Sequence, residues 1–307
     1  VARLERAQPA GTINPRILNL HADATYLVTG GLGTLGLSIA RWLAEQGARH
    51  LVLSGRSGII TEPQRQALTY LAQSGVEVQI AQMDVADQYA LADLFAQLKA
   101  ASAPLKGIIH AAGIIKYQSI AELTTESLAA VLRPKVSGGW LLHQISRDLP
   151  LDFFVCYSSA AGVWGAQQQA HYAAANHFLD GLAAYRQQQG LPALSVSWGP
   201  WSGGGMMTSD SLAQLQQIGI EPLSQTQGLE ALAYLLPTRA WHRVVANVDW
   251  DQFCKFYAFS RPRRLLTHIQ DQLPKQAEGA SGSPKQSGSS TTTQSSQVAA
   301  SREQLVD

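Results

Sequence analysis

An apolar run, Tyr26 to Thr29, ends directly in Thr29-Gly30-Gly31-Leu32-Gly33-Thr34-Leu35-Gly36, and the residues beyond it carry Leu35, Ile39 and Leu43 four apart before Gly47 stops the pattern. A strand, a glycine turn and a helix in that order admit few folds. Gly31, Gly33 and Gly36 stand as GxGxxG, with Thr34 and Leu35 inside the motif. Glycines placed there let the backbone close on a pyrophosphate set on the helix N-terminus. Six more short apolar runs come later in the chain: His50 to Ser54, Val76 to Ile80, Gly107 to His110, Phe153 to Tyr157, Leu194 to Trp198 and Val244 to Val248. Helical patterns separate them. Strands that are apolar almost throughout, such as LDFFVCY, require a sheet covered on both faces. The expected fold is α/β, a doubly wound parallel sheet of about seven strands, with ligands at the carboxyl ends of those strands.

The residues just after the second strand indicate the cofactor. A site for NAD places Asp or Glu about 20 residues after the glycines to accept from the ribose hydroxyls. Here the strand runs into Gly55-Arg56-Ser57-Gly58, with no acid, and Arg56 offers a fork of donors suited to a 2′-phosphate. NADPH is the expectation. After the third strand come Asp84 and Val85; Asp84 could accept from an adenine amino group or serve equally as the N-cap of the next helix.

Composition excludes other classes. Of 307 residues 46% are apolar and 15% charged, so the chain can bury a core of domain size, and a net charge of +1 provides no bulk field for nucleic acid or an anionic membrane. No run of about 18 apolar residues occurs, nor any signal-peptide pattern. The two cysteines, Cys156 and Cys254, form no CxxC pair, and no Cys/His cluster has metal-ligand spacing, so neither metal nor disulfide is expected and a cytoplasmic setting is. From about Lys275 the chain turns to Ser, Gly, Gln and Thr, so 275–307 reads as a flexible linker, 21–268 as the folded domain and 1–20 as a lead-in.

Reduction of a ketone needs a hydride donor and an acid for the developing alkoxide. Tyr172 and Asn176, four apart in AHYAAANHFLDGLAAYR, share a helix face. A phenol titrates near 10, and a neighbouring ammonium would lower it.

TGGLGTLG, LSGRSG, HAAGI, LRPKVSGGW, FFVCYSSAAGVWG, HYAAANHFLDGLAAYR and LSVSWGPW, in that order, resemble the short-chain dehydrogenase/reductase superfamily and, within it, ketoreductase domains of modular type I polyketide synthases. The resemblance implies a Rossmann-like NADPH-binding domain in which Ala111, Ala112 and Gly113 pass close to the cofactor. It implies catalytic roles for Lys135, Ser159, Tyr172 and Asn176. In the wider superfamily the lysine lies four after the tyrosine, where this chain has Asn176; in the ketoreductases it sits on the earlier helix, matching Lys135. Ser159, thirteen before Tyr172, takes the family's serine position rather than Ser158. The implied substrate is a β-ketoacyl thioester on the phosphopantetheine arm of an acyl carrier protein domain, with neighbouring synthase domains as partners. Absence of an LDD motif at Ile115-Lys116-Tyr117 and presence of Trp164, eight before Tyr172, resemble members giving L-hydroxy products. Trp201 to Met207, with three glycines and Met206 and Met207, reads as a small lid over the acyl chain. The alternatives are a free-standing reductase of a small ketone and a non-reducing NADPH-binding remnant. A serine hydrolase is disfavoured because Tyr157-Ser158-Ser159-Ala160-Ala161 lacks the GxSxG elbow.

Overall fold

Alternation along the strands sorts the core into two layers. On β1 (Thr25–Thr29), Tyr26 and Val28 enter one hydrophobic cluster and Leu27 the opposite one. The computed structural model describes residues 6–7, 18, 20–59, 61–203, 207–259, 263–273 and 304–306. After β1 come α1 (Thr34–Glu45), β2 (His50–Gly55), α2 (Glu62–Gln73), β3 (Glu77–Gln82), α3 (Gln88–Ala100) and β4 (Leu105–His110). The middle of the chain holds α4 (Thr125–Ser146), β5 (Phe153–Ser159), the short α5 (Ala161–Trp164), α6 (Ala170–Gln188) and β6 (Leu194–Trp198). The last third holds α7 (Ser209–Gln216), β7 (Ile220–Glu221), α8 (Gln225–Leu235), β8 (His242–Val248), α9 (Trp250–Tyr257) and α10 (Thr267–Gln272).

Seven strands run parallel in the order β3-β2-β1-β4-β5-β6-β8. All seven sequence-predicted strands are present. Two-residue β7 and Gln304–Val306 pair antiparallel with β8, and Arg6–Ala7 lies beyond the latter. Three residues of the expected linker are therefore in strand, while the rest of it and most of the lead-in lie outside the described residues. Helices α1, α2 and α8 cover one face through Leu43, Leu71 and Leu232; α3, α4 and α6 cover the other through Leu91, Leu142 and Leu179. Each such fully covered leucine contributes about 1.5–3 kcal/mol.

The order reverses direction between β1 and β4, where crossovers leave on opposite faces. This switch point positions the site. A third cluster, with Trp164, Trp250, Phe253 and Val244, sits at the β8 side of the sheet.

Candidate active site

The glycine turn is tighter than its spacing suggested. Gly30 has φ of +70°, and a Cβ there would stand 3.0 Å from the Ala111 carbonyl, so only glycine lets the loops after β1 and β4 touch. At Gly36 a Cβ would collide with the Gly30 carbonyl oxygen, and at Gly31 it would lie 2.7 Å from the Val28 oxygen. Gly33 is different: it has only one neighbour, the Gly30 oxygen at 3.3 Å, and it is the N-cap of α1 without any side-chain capping bond. The amides that open α1 are thus left to a ligand.

A cleft of about 1340 Å³ opens at the carboxyl ends of the strands. Gly33, Thr34, Leu35, Gly36, Arg56, Ser57, Asp84, Val85, Ala111, Ala112, Gly113, Lys135, Ser159, Trp164 and Tyr172 all line it. Gly31 and Asn176 do not: Gly31 is packed under Leu53, and Asn176 is wholly buried behind Tyr172. Met206 lies outside the described residues, with Gly204 and Gly205, while Met207 lines the cleft.

Asp84 is not a helix cap. The N-cap of α3 is Asp87, which accepts from the Tyr89 and Ala90 amides, whereas Asp84 accepts from Ala86 N at 2.9 Å and from Arg133 Nε at 3.0 Å. Burial opposes ionisation of Asp84, but the Ala86 amide, Arg133 and the charge of Arg56 together hold its carboxyl below the usual range.

Lys135 is buried on α4, directly after the helix-interior Pro134. Its Nζ donates to the Tyr157 carbonyl at 2.7 Å, and its stem fills the space a side chain at Gly113 would need. Burial pushes the ammonium down to about 8, against weaker opposition from Cys156 and Asp180. His110, also buried, is pushed down to about 3 by burial and the Lys135 charge, and its Nδ1 lies 2.7 Å from Thr29 Oγ1. A neutral imidazole there ties β4 to β1.

Tyr172 titrates contrary to the sequence-based expectation. Burial raises its phenol above 10, with hydrogen bonds from Ser159 and Asn176 opposing; Lys135 is not among the causes. The ammonium is engaged by the strand carbonyl instead. Ser159 and Ser158 both line the cleft and differ in their bonds. Ser159 Oγ accepts from Ala161 N at 3.2 Å, whereas the more deeply buried Ser158 donates to the Asn176 carbonyl at 3.1 Å and receives Ser197 Oγ at 3.3 Å. Asp180, one turn beyond Asn176, accepts from Ser195 Oγ at 2.6 Å, so polar bonds stitch α6 to β5 and β6. Asn176 Nδ2 donates to the Tyr172 carbonyl at 2.7 Å, and its Oδ1 is a buried acceptor with no partner.

A family model described as the KR domain matches residues 24–203. The chain belongs to the KR domain family of polyketide synthases. It is 41% identical over 267 residues to the pikromycin polyketide synthase component PikAIII of Streptomyces venezuelae, covering 87% of this chain and 17% of that protein. To polyketide synthase GfsB of Streptomyces halstedii it is 47% identical over 225 residues, 71% of this chain and 4% of the relative. Among solved structures, PlmKR1, a ketoreductase from the first module of phoslactomycin biosynthesis in Streptomyces sp. HK803, superposes with TM-score 0.77 at 39% identity, covering 82% of this chain and 59% of that one. An A-type ketoreductase from a modular polyketide synthase gives 0.78 at 36%, covering 87% and 55%. This KR domain thus spans under a fifth of those two synthases, and membership implies ketoreduction in polyketide processing.

The KR domain's cleft has a second wall that motif reading missed. Leu215 of α7, Ile218, Ile220, and Phe253, Phe256 and Tyr257 of α9 line it beside Trp164 and Trp201. Trp164 is more deeply packed than a gate residue need be, 8% exposed, with its ring 5.4 Å from that of Phe253. The apolar, amphipathic WDQFCKFY was the available signal. Among the described residues, no group of three His, Cys, Asp or Glu could hold a metal, and no helix is long and apolar enough to cross a membrane.

Proposed function

We propose that this KR domain reduces a β-ketoacyl thioester, carried on the phosphopantetheine arm of an acyl carrier protein domain, to the β-hydroxyacyl thioester with NADPH. The observation that carries the reading is the convergence of Lys135, Ser159 and Tyr172 on the same cleft as the open N-terminus of α1. The fit to NADPH rests on the crowding around Gly30 and Gly36, on the uncapped amides of α1, and on Arg56 where an acid would favour NAD. When bound, NADPH supplies the hydride that adds to the carbonyl carbon as the carbonyl π pair moves onto oxygen.

The chain's own residues handle that oxygen. Ser159 Oγ donates to it, and Tyr172 transfers its phenolic proton to the alkoxide. A phenol held above 10 is protonated at neutral pH, the form an acid needs. Lys135, fixed by the Tyr157 carbonyl, has further N–H donors for the nicotinamide ribose, and Asn176 backs the tyrosine from within α6. Trp164 narrows one side of the groove, so the arm enters along it and the product is the L-hydroxy epimer. The proposed setting is a cytoplasmic multidomain synthase with the carrier and neighbouring domains as partners, and 21–268 as the catalytic unit.

Tyr172→Phe tests the chemistry. Turnover of a diketide thioester should fall by roughly 10²–10⁴-fold while NADPH binding, followed by fluorescence, survives. Retention of most of the turnover would refute the assignment. Chiral chromatography of the wild-type product tests the stereochemistry, and a predominantly D-hydroxy product would remove Trp164 from its role.

A further inference from the structure

Arg263 lines the cleft at its α9 end. Its guanidinium carbon lies 4.6 Å from the centre of the Tyr257 ring, and its Nε is buried with no hydrogen-bond partner. A buried guanidinium nitrogen without an acceptor is costly unless a ligand supplies one. No acid of the cleft does so: among the described residues Asp84 is the only carboxylate in the lining, and it is bonded to Arg133.

Arg263 is also too far from Arg56 to share an anion with it. Arg56 lies just past β2 and Arg263 belongs to the segment after β8, and those strands are five positions apart in the sheet. At about 4.8 Å per position that is roughly 24 Å. With Arg133 bonded to Asp84 and Lys135 to the Tyr157 carbonyl, the cleft therefore presents two further cations, Arg56 and Arg263, well separated from each other. From Trp164 to Arg263 runs a ladder of rings, Trp164 to Phe253 at 5.4 Å, Phe253 stacked on Tyr257 at 5.4 Å, and Tyr257 under the guanidinium. Such a ladder forms an apolar track ending in a positive charge. That order suits a ligand with a slender, mostly uncharged body and an anionic end.

We propose that Arg263 binds the phosphate oxyanions of the substrate's phosphopantetheine arm, with Phe253 and Tyr257 as the track along which the arm lies. The inference rests on the proposed function for the identity of the arm, and adds the residue that anchors it. Guanidinium suits the task because it stacks on an aromatic face while its edge pairs bidentately with phosphate.

Binding of 4′-phosphopantetheine and of pantetheine, which lacks the phosphate, is measured calorimetrically on the full chain with NADPH present, for wild type, Arg263→Gln and Arg263→Lys. Wild type should favour 4′-phosphopantetheine. Arg263→Gln should weaken that ligand about tenfold and leave pantetheine unchanged, and Arg263→Lys should recover part of the loss as a point charge. Equal affinity of wild type for the two ligands, or equal loss of both in Arg263→Gln, would overturn the proposal, the second outcome marking Arg263 as a packing residue of the wall. Because the readout is binding, a chain that failed to reduce any β-ketoacyl thioester yet showed the phosphate-dependent difference would refute the proposed reaction and uphold the anion site.

Discussion

On the β1–β4 side, the residues lining the cleft come directly after their strands: Gly30, Leu32 to Gly36, Arg56, Asp84 and Ala111 to Gly113. On the β5–β8 side Ser159 to Ala161 and Trp198 to Pro200 also stand at strand ends, but the outer wall is gathered from Trp164, Trp201, Leu215, Phe253, Tyr257 and Arg263, spread over about a hundred residues. The first side is built of backbone held against backbone. The second is built of rings held against rings. A Cβ at Gly30 or Gly36 meets main-chain atoms, whereas one at Gly228 meets the Trp201 indole. Backbone cannot yield without moving a strand, while an indole can turn, so the β1–β4 side is rigid by construction and the β5–β8 side adaptable.

The largest effect expected from this contrast is that of Gly36→Ala. The added methyl is driven into the Gly30 carbonyl, so the substitution should cost about 3 kcal/mol of stability and abolish measurable NADPH binding, as followed by thermal unfolding and fluorescence titration. A folded variant with normal binding would end the claim of rigidity.

Lys135→Met comes next, with opposite signs for stability and activity. A lysine that titrates at about 8 in the fold and near 10.5 when unfolded makes the unfolded chain bind more protons between those values. Wild-type stability should therefore rise from pH 8 towards 10.5. Relief of the buried charge should stabilise Lys135→Met by roughly 2–3 kcal/mol at pH 7, flatten that rise and eliminate turnover. Denaturant midpoints across this range provide the check, and an unchanged pH slope would place the charge elsewhere.

Arg56→Ala sharpens the comparison on the β1–β4 side alone. Loss of a charge-assisted phosphate contact, about 1.5–3 kcal/mol, should weaken NADPH binding roughly ten- to a hundredfold and spare NADH. Equal losses would make Arg56 structural. The smallest effect is expected at Gly228→Ala, about 1 kcal/mol of stability, with NADPH affinity unaltered and KM for longer acyl chains changed as Trp201 is displaced.

The same division decides what was legible. Seven strands and the glycine turn are local patterns, while Lys135, Ser159 and Tyr172 are singled out by the family resemblance, and the structure brings those three side chains to one cleft. Gly30 escaped because its requirement is set by Ala111, eighty-one residues later. The direction in which Tyr172 titrates was misread because proximity to Lys135 was assumed, while the ammonium's bond to the Tyr157 carbonyl depends on how α4 lies over β5. Asp84 is open in the sequence between an adenine acceptor and a helix cap, and Asp87 takes the cap position. The α7 and α9 wall has no motif, since apolar side chains at helical spacing mark any covered face.

The two cysteines belong to different core clusters, and neither is in a disulfide. Cys156 is fully enclosed in β5, where burial pushes its thiol up to about 12; Cys254 sits in the α9 wall at 5% exposure. A thiol reagent reaches either position only when the surrounding structure opens. Alkylation of the chain is therefore a pair of clocks that need no engineered label. The Cys254 clock times the parting of the α9 wall, and the Cys156 clock times the loss of the sheet itself.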